Sequence, residues 1–350
     1  MLKRSYALEA AAAAGLEAVV ARTPATVRWL LCGRGRPVSI TSPAAGYAVV
    51  LTGERSCALY PDIETSRVAA EERLEELGYE PVPFPWHDGP SVTLERILDG
   101  KRALEGNELD DAVAPERRTL GKDERDRYRA AGADAASAMK DCLERLSPSL
   151  SEVEAAAELD YRVRLCGFVA PVVLVAGEER QKVHRHPLPT EAPLGRHALL
   201  AVTAEREGLH VSLTRLTSFG PVPAVLRELV DAVARVDAAM LRASRPGRSL
   251  GDVFAVASSA YEAEGFPGEW RKHHQGGLTG YDGREVFSTP NEPTRLPLSC
   301  AVAWNPSITG GAKSEDTVLV TENGLDVLTR TPDLPEIDVG GLPRPGVLEL

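Results

Sequence analysis

The sequence has little of what marks a secreted, membrane-bound or nucleic-acid-binding protein. Its five cysteines are widely spaced and form no Cys-x-x-Cys pair, so neither a zinc ribbon nor a dithiol redox motif is expected. No apolar run approaches the ~18 residues that span a bilayer, so we expect no membrane partner. The net charge of -11 argues against nucleic acid as a partner, because phosphate binding requires a basic surface. We therefore expect a cytoplasmic protein with reduced cysteines.

Two common catalytic motifs are also missing. The chain has no Gly-x-Ser-x-Gly segment, which would place a nucleophilic serine on a sharp turn. Its glycine-rich stretch lacks the Gly-Lys-Ser/Thr ending of a phosphate-binding loop. These absences argue against a serine hydrolase of that type and against a P-loop nucleotide-binding protein.

The 350 residues are enough for about two domains. Strands and helices alternate over residues 1–115, which predicts a small α/β domain. The polar stretch 106–120 marks the boundary, and residues 119–330 form the second domain. Residues 331–350 hold four prolines and four carboxylates, so we expect an irregular tail there.

In the second domain, helices and hairpins occur in separate groups. Apolar residues recur at three-to-four spacing over 122–146, which predicts a long helix, and Ser151 begins another. Short apolar strands follow at 199–202, 210–216, 301–304 and 317–320. Helices followed by antiparallel hairpins indicate an α+β layout.

The stretch 272–285 concentrates the residue types that a site needs. It contains His273, His274, Tyr281, Arg284 and four glycines. Glycine lets the backbone approach a ligand closely or adopt positive φ, and the titratable groups beside it could carry chemistry. The alternative interpretation is a glycine-rich hairpin with a solvated, charged tip.

Five segments together resemble the motifs of one family. They are His-Pro-Leu-Pro-Thr from His186, Gly-Leu-His-Val-Ser-Leu-Thr-Arg from Gly208, His-Gln-Gly-Gly-Leu from His274, Trp-Asn-Pro-Ser-Ile from Trp304, and Ser-Glu-Asp-Thr-Val-Leu-Val from Ser314. Their order and spacing are similar to those of the creatinase/aminopeptidase ("pita-bread") family, which includes aminopeptidase P, prolidase, methionine aminopeptidase and creatinase. The resemblance implies a pita-bread second domain and a smaller creatinase-like first domain.

The resemblance fails at the metal ligands. The family's metallopeptidases hold two divalent ions through two aspartates, one histidine and two glutamates. The corresponding positions here are Thr203, Ser212, His274, Asn305 and Glu315. Two adjacent dications require several anionic oxygen ligands, and three of the four carboxylates are missing. We therefore expect no metal ligands and no cofactor.

Creatinase is the family's example of catalysis without a metal. Gly283-Arg284-Glu285 resembles its Gly-Arg-Glu segment, whose arginine holds the substrate carboxylate, and a planar guanidinium suits that task. Thr214 and Asn305 stand where creatinase has two glutamates that bind a guanidinium. The resemblance therefore implies Arg284 as carboxylate anchor, with a neutral amide or polar ligand replacing the cation.

Three residues are the candidates for catalysis. His186 is expected to take a proton from water and give it to a leaving nitrogen. His274 could hydrogen-bond a substrate carbonyl, shuttle a proton or bridge strands. Glu315 could act as an acid if burial raises its pKa, or it could pair with Lys313 or Arg284.

Two aromatic residues, Tyr281 and Trp304, could form an apolar wall of the substrate site, although Trp304 could equally belong to the core. The leading hypothesis is a metal-independent, creatinase-like hydrolase or lyase that cleaves a C–N bond of a small carboxylated amide or amidine. The alternatives are an inactive binding protein of the same fold and an Xaa-Pro aminopeptidase or dipeptidase with a degenerate metal site. The resemblance also implies a homodimer.

Overall fold

The computed structural model describes residues 2–41 and 46–350. The chain forms two compact units, residues 1–118 with 207–209 and residues 119–206 with 210–350. The division after Arg118 falls inside the predicted boundary stretch 106–120, although most of that stretch is helical. The second unit continues to the end of the chain and does not stop at residue 330.

The first unit is a mixed sheet with helices. Its helices are α1 (Leu2–Ala13), α2 (Pro24–Leu30), α3 (Thr65–Arg67), α4 (Ser91–Leu98) and α5 (Gly106–Arg117). Its strands are β1 (Ala18–Ala21), β2 (Ala48–Leu51), β3 (Ser56–Pro61), β4 (Glu80–Phe84) and β5 (Ala103–Glu105). They lie in the order β4-β3-β2-β1-β5, with the β3–β4 and β1–β5 pairs parallel. Parallel pairs need crossover connections, which agrees with an α/β unit.

The second unit has five helices and thirteen strands among its described residues. The helices are α6 (Lys122–Leu143), α7 (Glu152–Leu165), α8 (Glu178–Gln181), α9 (Ala224–Ala243) and α10 (Leu250–Ala263). The strands are β6 (Val169–Gly177), β7 (His197–Arg206), β8 (Leu209–Ser218), β9 (Gly276–Thr279), β10 (Val286–Phe287), β11 (Ser299–Trp304), β12 (Ser307–Ile308), β13 (Ala312–Lys313), β14 (Asp316–Thr321), β15 (Gly324–Val327), β16 (Glu336–Val339), β17 (Leu342–Pro345) and β18 (Val347–Glu349).

Two sheets form the framework of the second unit. One has the order β18-β8-β7-β6 and the other β10-β9-β11-β14-β15. An isolated bridge joins them, because the Thr214 N–H on β8 donates to the Glu315 carbonyl just before β14, at 3.1 Å. This junction holds side chains of both sheets next to each other.

Local sequence accounts for the helices that cover these sheets. Ser151 Oγ accepts a hydrogen bond from the Glu154 N–H, and the Glu154 carboxylate accepts one from the Ser151 N–H, which is a capping box that starts α7. On α9, Val230, Val233 and Leu241 lie on one buried face in the core. An amphipathic stripe of this kind fixes the helix against the apolar face of a sheet.

The prediction of an irregular tail at 331–350 is wrong. Strands β16 and β17 pair with each other, and β18 pairs in parallel with β8. Pro343 and Pro345 are two residues apart, so their backbone nitrogens face the same side of β17, away from the hydrogen bonds to β16. The absence of an N–H group on proline therefore costs this ladder no hydrogen bond. Proline content alone therefore misled the sequence interpretation.

The helices of the described ranges 2–41 and 46–350 include none that is both long and apolar enough to cross a membrane.

Candidate active site

A cavity of about 650 Å³ lies in the second unit. Its polar lining includes His186, His274, Arg284, Asn305, Lys313 and Glu315, together with Thr203, His210 and Asp282. An apolar side is formed by residues of β6 and β10, including Val172, Leu174 and Phe287. A cavity of this size with convergent polar groups on one side and apolar groups on the other fits a small ligand.

Glu315 is the centre of the polar side. Its side chain is 5% exposed and pairs with Arg284 Nη2 at 3.0 Å and with Lys313 Nζ at 3.2 Å. The hydroxyl of Thr214 donates to the same carboxylate at 2.7 Å. Burial acts to raise the pKa of Glu315, but the charges of Lys313 and Arg284 and the Thr214 hydrogen bond outweigh it, so the pKa lies below its usual range.

Glu315 is therefore an ionised counter-ion, and its predicted role as a catalytic acid does not fit this environment. Thr214 is fully buried behind the carboxylate and supports it, so the hydroxyl does not reach a substrate as predicted. Asn305 does line the cavity, with its Oδ1 buried and without a partner among the described residues.

Arg284 is held by several contacts. Its Nη1 donates to the Gly283 carbonyl at 2.6 Å and lies 3.3 Å from Ser212 Oγ. Its Nε is buried and has no partner among the described residues. Because Arg284 and Lys313 share the single carboxylate of Glu315, this side of the cavity carries an unbalanced positive charge. Asp282 also lines the cavity, but it is exposed to solvent, where water screens its charge.

Three imidazoles lie together beside these charges. His273 Nε2 and His186 Nε2 are 2.9 Å apart, and the rings of His273 and His274 stack at 4.4 Å between centroids. Burial is the largest cause that lowers the pKa of all three, and neighbouring positive groups add to it. The pKa of His274 is lowered to about 4. The cluster is therefore uncharged near neutral pH and offers lone pairs and N–H groups.

Two aromatic residues of the prediction lie outside the cavity lining. Tyr281 is buried, and its hydroxyl lies 3.0 Å from Glu124 and 3.1 Å from Arg127. Trp304 is 1% exposed and belongs to the hydrophobic core, where its Nε1 donates to Ser244 Oγ at 2.9 Å. Neither forms the predicted wall; Val172, Leu174 and Phe287 do so.

The glycines of the 272–285 stretch serve the sheet. Gly276 has φ +90°, and a Cβ there would lie 2.0 Å from the Ala303 carbonyl oxygen. Gly277 has φ +156°, and a Cβ there would lie 2.0 Å from the Val286 carbonyl oxygen. The two glycines let β9 fit between β10 and β11, which places His273 and His274 at the entry of β9.

Sequence reasoning overlooked Lys313 and His273 as site residues. Lys313 precedes Glu315 by two residues, and side chains at that spacing share one side of an extended strand, so this signal was present. The sequence contains no such signal for His273. It is adjacent to His274, and adjacent side chains in extended chain point to opposite sides. Only the turn before β9 brings both imidazoles to one side.

Comparison with known proteins identifies the class. Residues 126–322 match the model of Peptidase_M24, metallopeptidase family M24. The match covers more than half of the chain, and the chain belongs to this family.

Three similar proteins illustrate the relationship. The Xaa-Pro dipeptidase of Pyrococcus furiosus is 23% identical over 325 residues, which are 85% of this chain and 92% of that protein. The agropine synthesis cyclase of Rhizobium rhizogenes is 33% identical over 116 residues, 31% of this chain and 28% of that protein. The solved structure of the Xaa-Pro dipeptidase from Bacillus anthracis superposes with a TM-score of 0.74 at 17% identity, covering 95% of this chain and 98% of that one. The fold is thus the α+β pita-bread fold predicted from sequence.

The residues present do not fit the family's paired metal centre. Thr203 and Ser212 are neutral, and their hydroxyls lie 2.9 Å apart in a mutual hydrogen bond. Glu315 is engaged by a guanidinium and an ammonium, which supply the positive charge that two metal ions would otherwise bring. Two dications beside these two cations would face strong repulsion with one carboxylate to offset it.

Proposed function

We propose that this protein is a metal-independent hydrolase, or a related lyase, that cleaves a C–N bond in a small carboxylated amide or amidine. One observation carries the proposal: Arg284 and Lys313 share one carboxylate beside a cluster of three uncharged imidazoles, and two of these imidazoles, His186 and His274, line the cavity of about 650 Å³. The unbalanced charge favours an anion, and the imidazoles favour proton transfer.

The substrate carboxylate binds Arg284 and Lys313 in this proposal, and the rest of the molecule extends toward Val172 and Phe287. Both apolar side chains are partly exposed at the cavity, at 40% and 45%, so an aliphatic group of the substrate would cover them. Asn305 and Thr203 offer neutral polar groups, which suit an amide better than a guanidinium cation.

His186 performs the proton transfers. It accepts a proton from water as the water oxygen attacks the substrate carbon, and it then gives a proton to the nitrogen that leaves as the C–N bond breaks. His273, hydrogen-bonded to His186, fixes the orientation and tautomer of its ring. His274 lines the same cavity and supplies a further hydrogen bond.

The test is amine release from a panel of N-acyl and amidino amino acids by chelator-treated protein. We expect turnover without added metal, and a loss of about 10²–10⁴-fold in His186→Ala. His184→Ala, two residues away and exposed, is the matched control. Turnover that needs two equivalents of added metal would support an Xaa-Pro dipeptidase, the activity in the names of two relatives, in place of this proposal. No turnover, with anion binding retained, would support the inactive binding protein.

A second candidate function is ring closure. The 33% identity to the agropine synthesis cyclase favours it. In that case a nucleophile within the substrate takes the place of water, and the same imidazoles move the proton. Mass spectrometry separates the two, because hydrolysis adds the mass of water to the products and ring closure does not.

We also expect a homodimer, from the family resemblance. The five unpaired cysteines favour a reducing, cytoplasmic compartment. Sedimentation of the purified protein tests the dimer.

A further inference from the structure

The histidine cluster has a second chemical capacity. His186, His273 and His274 each offer a ligand nitrogen, and these three atoms lie within 4.8 Å of one another. Neutral imidazole nitrogen is the common ligand of zinc and of other transition metals. Three such ligands with one open position form a known type of metal site.

The distances are close to those that a single ion requires. Zinc–nitrogen bonds of about 2.0–2.1 Å in tetrahedral geometry place ligand nitrogens about 3.4 Å apart. The His273–His186 nitrogens are 2.9 Å apart and the widest pair is within 4.8 Å. Small rotations of the side chains therefore bring all three to bonding distance. His186 and His274 line the cavity, so a fourth ligand can enter from it.

These three ligands differ from the family's paired metal centre. Of the five positions where that centre takes its ligands, only His274 belongs to the cluster, and Glu315 stays with Arg284 and Lys313. The two cations raise the free energy of a nearby dication, while the Glu315 carboxylate offsets part of their charge. An ion carrying an anionic fourth ligand, such as hydroxide or chloride, suits this environment best.

We propose that His186, His273 and His274 bind one transition-metal dication, with zinc and cobalt(II) as the expected ions, at a site distinct from the paired centre of the family. Each imidazole lone pair serves either the ion or a proton. A bound ion therefore removes His186 from proton transfer and inhibits the enzyme. The inhibition rests on the proposed function, whereas the binding does not.

The experiment measures binding before activity. Full-length, chelator-treated protein is titrated with zinc by calorimetry and with cobalt(II) by visible absorption. We expect one equivalent of each ion and the intense visible band of four-coordinate cobalt. His186→Ala should weaken zinc binding at least about tenfold, because loss of even a residue that supports a ligand costs about 10–100-fold in metal affinity. Because His186 is exposed, its truncation should leave the fold intact, which a melting curve checks.

Two further variants distinguish the three-histidine site from the paired metal centre of the family. His184→Ala should bind like the wild type. Glu315→Gln should still bind one equivalent, since Glu315 is not among the three ligands. Two equivalents of metal, or loss of binding in Glu315→Gln with an unchanged melting temperature, would overturn the proposal in favour of the paired centre. Absence of binding in the wild type would also overturn it. Wild-type protein that binds one zinc and gains activity from it would keep the site and refute the metal-independent reaction.

Discussion

Two buried ionic clusters lie beside each other in the second unit, and they differ in charge balance. In one, Arg215 and Arg344 meet Asp237 and Asp316, with contacts such as Arg215 Nη2 to Asp316 Oδ1 at 2.7 Å. In the other, Arg284 and Lys313 both form ion pairs with the one carboxylate of Glu315.

The first cluster is closed, since its four side chains are 0–3% exposed and two positive groups meet two negative ones. It ties β17 of the tail to α9 and β14. The second cluster opens on the cavity. Glu315 and Asp316 are neighbours in the chain, yet they belong to different clusters because successive side chains of extended chain point to opposite sides. The cluster with matched charges is sealed inside the fold, whereas the cluster with two cations and one carboxylate faces the cavity.

The largest expected effect is on stability. Arg344→Met removes one partner of the closed cluster and leaves the buried Asp237 without its arginine, while Asp316 keeps Arg215. We expect a loss of about 3–5 kcal/mol in the free energy of unfolding, measured by denaturant titration. Turnover per folded molecule should stay as in the wild type. A stable Arg344→Met protein would show that the tail is not held by charge.

The next effect is on binding. Arg284→Met removes a charged donor from the open cluster, and hydrogen bonds to charged groups contribute about 1.5–3 kcal/mol. We expect affinity for a small carboxylate such as N-acetylglycine to fall about 10- to 100-fold in calorimetry. The control is Arg271→Met, which changes a guanidinium that stacks on the Trp270 ring. Equal affinities in the two variants would remove Arg284 from the anion site.

A smaller effect tests whether Trp304 belongs to the hydrophobic core or to the wall of the cavity. Trp304→Phe removes the indole N–H that donates to Ser244 Oγ. We expect a loss of about 1 kcal/mol in stability, with carboxylate affinity unchanged. A change in affinity without a change in stability would restore the predicted role of Trp304 in the substrate wall.

The last effect concerns pH. The hydrogen bonds from Arg196 are the main cause that lowers the pKa of Glu178 to about 2 from 4.5. A carboxylate whose folded pKa is depressed stabilises the protein above its unfolded pKa and loses this contribution as the pH falls through the folded pKa. The stability difference between wild type and Glu178→Gln should therefore be full above about pH 4.5 and shrink toward pH 2. A difference that does not vary with pH would contradict this account.

Much of the fold could be predicted because its signals are local or ordered along the chain. The three-to-four periodicity of 122–146 predicted α6, which ends at Leu143, and Ser151 marked the start of α7. Five motifs in order predicted the pita-bread fold. The tail could not be predicted, since β18 pairs with β8, more than a hundred residues earlier in the chain.

The sequence by itself determined which charges the chain possesses and which it lacks: three family carboxylates are missing, and Arg284 is present. Only the tertiary structure decided how those charges pair. Glu315 meets Arg284 from 31 residues away and Thr214 from 101 residues away. The same contacts decide between the two roles considered for Glu315, an acid or a partner of Lys313 and Arg284, in favour of the partner. The turn before β9 brings His273 to His186. Periodicity reports local backbone geometry, whereas the protonation and partners of a buried group depend on burial and on distant neighbours.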